Sequence, residues 1–259
     1  MDFRYFFLDN YSTRPMFDPI IGCSIACPYC NAFTDGQKIG ITTTWDKWIK
    51  PIYVDVDKDI AMKEYLYFKN NFTLLWDFVF VCSTSDPFQN KRAVDIYMQS
   101  IRFLNSIKLN TLCLSKGKIP IDVFTLPTNN AIGITITGYN HYLKQTQNIY
   151  TLRQLKICGY FVWVSLQPFS IDDEPYLSEI LYNIGFVDKI TFGPLDDELN
   201  FDPYYRMSDL IADYCICKKI SFINGTKRFS KLNKQRLAIQ GYSRNTINYP
   251  HLFFDSYLM

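Results

Sequence analysis

Gly22-Cys23-Ser24-Ile25-Ala26-Cys27-Pro28-Tyr29-Cys30 places three cysteines at C-x3-C-x2-C spacing, with an aromatic residue just before the last. Three thiolates on one short loop can grip three corners of a cubane iron–sulfur cluster, whose usual ligands are cysteine thiolates. A fourth iron then has no protein ligand, and an open coordination position is how a metal site performs chemistry rather than only holding a fold. Cys23, Cys27 and Cys30 are therefore the candidate metal ligands.

Phe17 to Ile21 reads as a strand feeding straight into this loop. Downstream, a short apolar run ending in small polar residues recurs, each followed by a stretch of helical character. Ile39 to Thr44 and Ile52 to Val56 read as extended pieces before a helix from Asp57 to Lys69. Asp77 to Cys82 is a core strand closed by Ser83-Thr84-Ser85-Asp86-Pro87, with a helix following to Ile107. Asp86 before Pro87 has the composition of a helix N-cap and first helical position. Further strands cover Thr111 to Leu114, closed by Ser115-Lys116-Gly117, and Ala131 to Thr137, Tyr160 to Gln167, and Lys189 to Phe192. Helices around Leu152–Cys158, Asp173–Asn183 and Tyr204–Cys217 complete the alternation. Such alternation points to α/β with a mostly parallel sheet, in which ligands sit at the carboxyl ends of the strands. Six βα units fall short of a closed eight-unit barrel, so the expected fold is an open partial barrel.

The chain has 259 residues, 48% of them hydrophobic, enough for a sizeable core. With 11 glycines and neither G-x-G-x-x-G nor G-x-x-x-x-G-K-[ST], it has no dinucleotide or P-loop fingerprint. Net charge is +2, so the whole-molecule field does not by itself point to nucleic acid. No run of about 18 apolar residues suggests a membrane span, and the start of the chain lacks a signal peptide's pattern. The eight cysteines then read as reduced thiols and metal ligands, and the expected compartment is the cytoplasm. Cys113 and Cys158 sit in apolar surroundings and read as core; Cys215 and Cys217 lack further ligands to complete a second site.

Two patterns bear on a binding cleft. In the strand from Ala131, Ile132, Ile134 and Ile136 share one face, and Gly133, Thr135 and Thr137 the other. In the strand from Tyr160, Val162, Val164 and Leu166 oppose Phe161, Trp163, Ser165 and Gln167. The polar faces either line a cleft or satisfy buried backbone. From Lys218 to Phe254 there are eight Lys or Arg residues and no Asp or Glu, with Tyr242, Tyr249, Phe253 and Phe254 interleaved. This run is either a solvated cap on the sheet edge or a surface for DNA or RNA, with cations for phosphate and aromatics for unpaired bases. Residues 1–217 and 218–259 are accordingly read as a barrel domain and a basic aromatic extension packed on it.

With the loop and six βα units in hand, the chain resembles the radical S-adenosylmethionine (SAM) superfamily, and within it the spore-photoproduct-lyase-like group. The residues that carry the resemblance are Cys23, Cys27 and Cys30 with Tyr29 in the aromatic slot, Ser83-Thr84-Ser85-Asp86-Pro87, Ser115-Lys116-Gly117, and Ile134-Thr135-Ile136-Thr137, over roughly 17–195. The resemblance implies a partial (β/α)6 TIM-like barrel of the radical SAM type with a C-terminal extension. It implies a [4Fe-4S] cluster on the three cysteines, with SAM chelating the fourth iron. Reductive cleavage of SAM then gives a 5′-deoxyadenosyl radical that abstracts a hydrogen atom from the substrate. Ser83, Thr84 and Ser85 fall where the group meets the methionine amino group, and Lys116 where a cation pairs with the SAM carboxylate. Thr135 and Ser165 fall at positions able to meet the ribose, and Tyr29 and Gln167 near the adenine. An electron donor protein, and the option of a paralogous partner chain, belong to the same implication.

The chain departs from the group at one point. The spore enzyme's hydrogen-donating cysteine slot holds Ser83 here, and Cys82 lies one residue earlier. A one-residue step on a strand reverses the facing side, so Cys82 is either a hydrogen donor brought round by a bulge or a core residue. Three functions remain open on these residues: a radical SAM enzyme acting on nucleic acid or a nucleotide, by lesion reversal or base modification; one acting on a peptide or small metabolite; or a non-catalytic metal- or Fe–S-binding protein that contacts nucleic acid.

Overall fold

The computed structural model describes residues 5–8, 15–38, 44–71, 78–194 and 201–224. In chain order the elements are β1 (Phe6–Leu8), β2 (Pro15–Phe17), β3 (Ile20–Ile21), α1 (Asn31–Lys38), α2 (Trp45–Trp48), β4 (Ile52–Tyr53), α3 (Lys58–Asn71), β5 (Phe78–Val81), α4 (Lys91–Ser106), β6 (Asn110–Ser115) and β7 (Ala131–Thr135). There follow α5 (Tyr139–Lys144), α6 (Thr146–Ile157), β8 (Phe161–Phe169), α7 (Leu177–Ile184), β9 (Lys189–Pro194), α8 (Phe201–Lys218) and β10 (Ser221–Asn224). The chain divides into two compact units, the first formed by residues 1–133 and 158–161 and the second by 134–157 and 162–259. The division runs through β7.

In the first unit the strand order is β1-β2-β5-β6, followed by the opening of β7. β2 runs parallel to β5 and β5 to β6, while β1 is antiparallel to β2. Helix α4 forms because its apolar residues recur at helical spacing: Ala93, Ile96, Tyr97, Ile101 and Leu104 are buried. It starts where the Asn90 side chain accepts the Ala93 N–H at 3.0 Å. The strand expected from Phe17 to Ile21 is two strands instead, with β3 pairing antiparallel to β4. Pro19 separates them, because proline has no N–H to donate to a ladder. β1 escaped sequence reading because it is a three-residue edge; the buried Glu64 carboxylate of α3 tethers it by accepting the Tyr5 and Phe6 N–H groups, each at 3.1 Å. Of the extended piece expected from Ile39 to Thr44, residues 39–43 lie outside the described residues.

In the second unit the order runs from the close of β7 through β8 and β9 to β10, with β8–β9 and β9–β10 parallel. Trp163 and Lys189 are register partners, and the buried Lys189 ammonium lies 5.2 Å from the Trp163 ring centre. The helix expected from Asp173 opens as a 3-10 turn over Ile171–Tyr176, which contains Pro175, and becomes α-helical only at Leu177. Within the stretch assigned to the C-terminal extension, Ser221–Asn224 forms β10. Residues 225–259, with Lys227, Arg228 and the later basic and aromatic positions, lie outside the described residues.

Candidate functional site

The cysteine loop is pinned at both ends. At its start Gly22 has φ +89°, and the Trp48 carbonyl accepts the Cys23 N–H at 3.0 Å. A Cβ on Gly22 would stand 2.4 Å from that carbonyl oxygen, so only glycine fits. Ala26, at φ +54°, turns the chain between Cys23 and Cys27. At the far end the Cys30 carbonyl accepts the Phe33 and Thr34 N–H groups at 3.2 and 3.3 Å, opening α1. Phe33 then packs edge-on against Trp45, ring centres 4.9 Å apart. The three cysteines are free and half-buried. Burial pushes the Cys23 thiol up to about 11.

The donor set bears on what the loop could hold. A single zinc ion draws its thiolates to about 2.3 Å each, which brings the sulfurs to about 3.8 Å of one another. Among the described residues no three Cys, His, Asp or Glu side chains converge in that way. A cubane takes one thiolate per iron, and three free, half-buried thiols on one loop are the donor type it uses.

The turn after β5 is stitched to the segment leading into the loop. Cys82 leaves the strand at φ +59°, and its N–H donates to Phe17 O at 3.0 Å. Ser83 donates from its N–H and its hydroxyl to the two oxygens of Asp18, at 2.5 and 2.6 Å. Thr84 Oγ1 donates to Ile20 O at 3.5 Å, and Ser85 Oγ to Gly22 O at 2.8 Å. Successive hydroxyls thus meet alternate residues of the approach segment. Gln89 closes the stitch: its Oε1 accepts from Ser24 N and Oγ at 2.6 and 2.8 Å, and its Nε2 donates to Ser85 Oγ at 2.9 Å and Asp86 O at 3.1 Å. The hydroxyl protons of Ser83, Thr84 and Ser85 are therefore committed inward. What these residues can offer an ammonium group is oxygen lone pairs.

Asp86 does not cap α4, a place taken by Asn90. Its buried carboxylate joins the ends of β5 and β6 instead. Oδ1 accepts from Phe88 N at 2.8 Å and Ser115 Oγ at 2.6 Å; Oδ2 accepts from Lys116 N at 2.6 Å and Gly117 N at 3.2 Å. Burial raises its pKa, while these bonds to the charged form pull the other way. The same contest at Asp18 leaves that carboxyl raised to about 6, with burial the larger effect. Fixed by Asp86, Lys116 reaches across to the loop. Its ammonium donates to Cys27 Sγ at 3.5 Å and lies 4.9 Å from the centre of the Tyr29 ring. Lys116, Tyr29 and Cys27 are thus brought together.

Cys82 is 1% exposed, and burial raises its thiol well above the usual range. Cys113 is likewise buried and accepts from Tyr97 OH at 3.2 Å. Cys158, expected in the core, is exposed: α6 ends at Ile157 and the chain turns away at Gly159, φ +89°.

Thr135, Ser165 and Gln167 belong to the second unit. Thr135 and Ser165 are buried, 6% and 4% exposed. Gln167 is half-buried, and its side chain crowds Gly193, where a Cβ would come within 2.8 Å. Sequence reading missed Asp18 and Gln89. Asp18 carried a faint signal, a carboxylate before proline at a strand end; nothing near Gln89 announced its partner.

No family model matches the sequence, and no curated protein matches it. Solved structures do. A double mutant of spore photoproduct lyase with bound AdoMet and dinucleoside spore photoproduct aligns with TM-score 0.57 and 11% identity, over 79% of this chain and 62% of that one. A single mutant of the same enzyme gives 0.54 at 14% identity, over 72% and 57%. Spore photoproduct lyase complexed with dinucleoside spore photoproduct gives 0.52 at 13%, over 73% and 58%. The chain thus spans about six tenths of the length of the structures it matches. The likeness shows the fold, a partial TIM-like α/β barrel like that of the structures matched.

Proposed function

We propose that this chain is a radical SAM enzyme acting on nucleic acid or a nucleotide, by lesion reversal or base modification, in the manner of the spore photoproduct lyases whose fold it shares. The observation that carries the reading is the pinned loop of three free, half-buried cysteines beside the Lys116 ammonium, 3.5 Å from Cys27 Sγ. Cys23, Cys27 and Cys30 would hold a [4Fe-4S] cluster and leave one iron for SAM. When bound, that pair would supply a carbon radical, made by one-electron cleavage of SAM, that takes a hydrogen atom from the substrate.

The chain's own residues prepare the place. Gly22, Trp48 and Cys30 hold the loop's two ends. Asp18, Ser85 and Gln89 bind it to the turn after β5, where lone pairs on Ser83, Thr84 and Ser85 face the role of accepting the SAM amino group. Asp86 presents Lys116. Thr135, Ser165, Gln167 and Tyr29 are the ribose and adenine candidates. Cys82, being 1% exposed, is assigned to the core beneath the turn rather than to hydrogen donation.

Anaerobic reconstitution tests the reading. The protein should take up about four irons per chain, with broad iron–sulfur absorbance. Reduced in the presence of SAM, it should release 5′-deoxyadenosine. A reconstituted chain with no such absorbance, or a reduced one that leaves SAM intact, rules the enzyme reading out. Retention on lesion-bearing DNA at low salt, compared with undamaged DNA and RNA, addresses the substrate.

A further inference from the structure

The end of Lys116 is located from three directions. Asp86 fixes its backbone through the N–H at 2.6 Å, with Ser115 and Gly117 on either side bound to the same carboxylate. The Tyr29 ring lies beneath the ammonium, and Cys27 Sγ accepts from it. The resemblance assigns this lysine to the SAM carboxylate; within the chain its ammonium also donates to a thiol of the cysteine loop. We propose that Lys116 is a tuning residue for the cluster: its ammonium donates to the Cys27 sulfur and makes the cluster easier to reduce. This rests on the cluster reading above.

The physical reason lies in the charge change. One-electron reduction adds a negative charge, and part of it resides on the ligand sulfurs. A cation hydrogen-bonded to one of them favours the reduced state over the oxidised one, since hydrogen bonds to sulfur and local charge are among the terms that set cluster potentials. The geometry suits this use. Lysine is a compact cation on a flexible stem, but here the stem's origin is held by a buried carboxylate and the head by a ring face. The ammonium therefore does not need substrate or SAM to bring it to Cys27. An effect that precedes SAM binding can be measured without SAM, which separates it from a carboxylate-pairing role.

The experiment is the midpoint potential of the reconstituted full-length chain, measured electrochemically without SAM, in wild type, K116Q and K116R. K116Q removes the charge; K116R keeps it. The expected result is equal iron content in all three, a K116Q potential more negative than wild type, and K116R returned toward wild type. A K116Q cluster at the wild-type potential overturns the proposal, even if its SAM affinity has fallen, because Lys116 would then serve SAM alone. If K116Q assembles no cluster, K116M, uncharged and similar in length, is read by the same criterion. A wild-type chain that forms no cluster overturns the functional reading itself; unchanged potentials on intact clusters overturn only the role of Lys116.

Discussion

Replacing Asp86 by Asn tests the joint between the two loops that build the site. The substitution preserves shape and removes one oxygen. With Asn Oδ1 in the place of the oxygen that serves Phe88 N and Ser115 Oγ, the amide NH2 faces the Lys116 and Gly117 N–H groups, which the carboxylate holds at 2.6 and 3.2 Å. Donor then meets donor. Turning the amide over moves the conflict to Phe88 and Ser115, where only the hydroxyl can reverse its bond. Gly117 has no room to retreat, since a Cβ there would already stand 2.6 Å from Phe88 O. Gly117 N–H keeps Ser115 Oγ as an acceptor at 2.9 Å, so the loss falls on the Lys116 N–H; a buried donor deprived of its acceptor costs about 1–3 kcal/mol, and the variant should lose about that much. Relief from burying a carboxylate whose pKa is raised puts the outcome toward the lower end. Denaturant unfolding of wild type and variant at neutral pH, followed by tryptophan fluorescence, reads this; the centre of the buried Trp48 ring lies 6.0 Å from that of Phe33 in α1, which the loop enters. A loss under about 1 kcal/mol would refute the reasoning and return Asp86 to the status of an ordinary turn residue.

Asp18→Asn should change the pH dependence of stability. Raised from 3.8 to about 6, the folded Asp18 keeps its proton where the unfolded one has lost it, so its contribution is full below pH 3.8 and fades as pH rises through 6. The difference in unfolding free energy between wild type and variant should therefore shift by up to about 3 kcal/mol against wild type across that window; a difference independent of pH refutes the assignment. Gly22→Ala forces a side chain into a left-handed backbone and to within 2.4 Å of Trp48 O, and should cut cluster loading at least in half in an iron assay. Wild-type loading in that variant would show the loop tolerates a different entry. Brief iodoacetamide treatment of the metal-free protein should label the exposed Cys158 and Cys217 and spare the buried Cys82, Cys113 and Cys215 until denaturant is added, with fragments read by mass spectrometry. Rapid labelling of Cys82 would reopen its candidacy as a hydrogen donor.

Much of the architecture was legible because it is written in local periodicity. Apolar runs of strand length followed by helical spacing produced β5 to β9 and most of the helices between them within a few residues. The failures have local causes too: Pro19 splits a strand, Pro175 delays a helix, and β1 and β10 are too short to stand out. The contents of the site divide differently. Cys23, Cys27 and Cys30 were legible as candidate ligands because all three sit within eight residues, so their spacing can be read without the fold.

What arranges them was not legible. Ser83 finds Asp18 and Ser24 finds Gln89 across 65 residues, Lys116 finds Asp86 across 30, and Cys27 across 89. Each of these pairs depends on which strands lie side by side. Asp18 meets Ser83 because β2 runs parallel to β5, and Asp86 meets Lys116 because β5 runs parallel to β6. The sequence by itself determined which atoms could bind a cluster. Only the tertiary structure decided which carboxylates hold the loops, and that the Lys116 ammonium rests against Cys27. Hydrogen bonds and charge pairs act over a few ångströms of space, and chain order does not reveal that distance until the strands have paired.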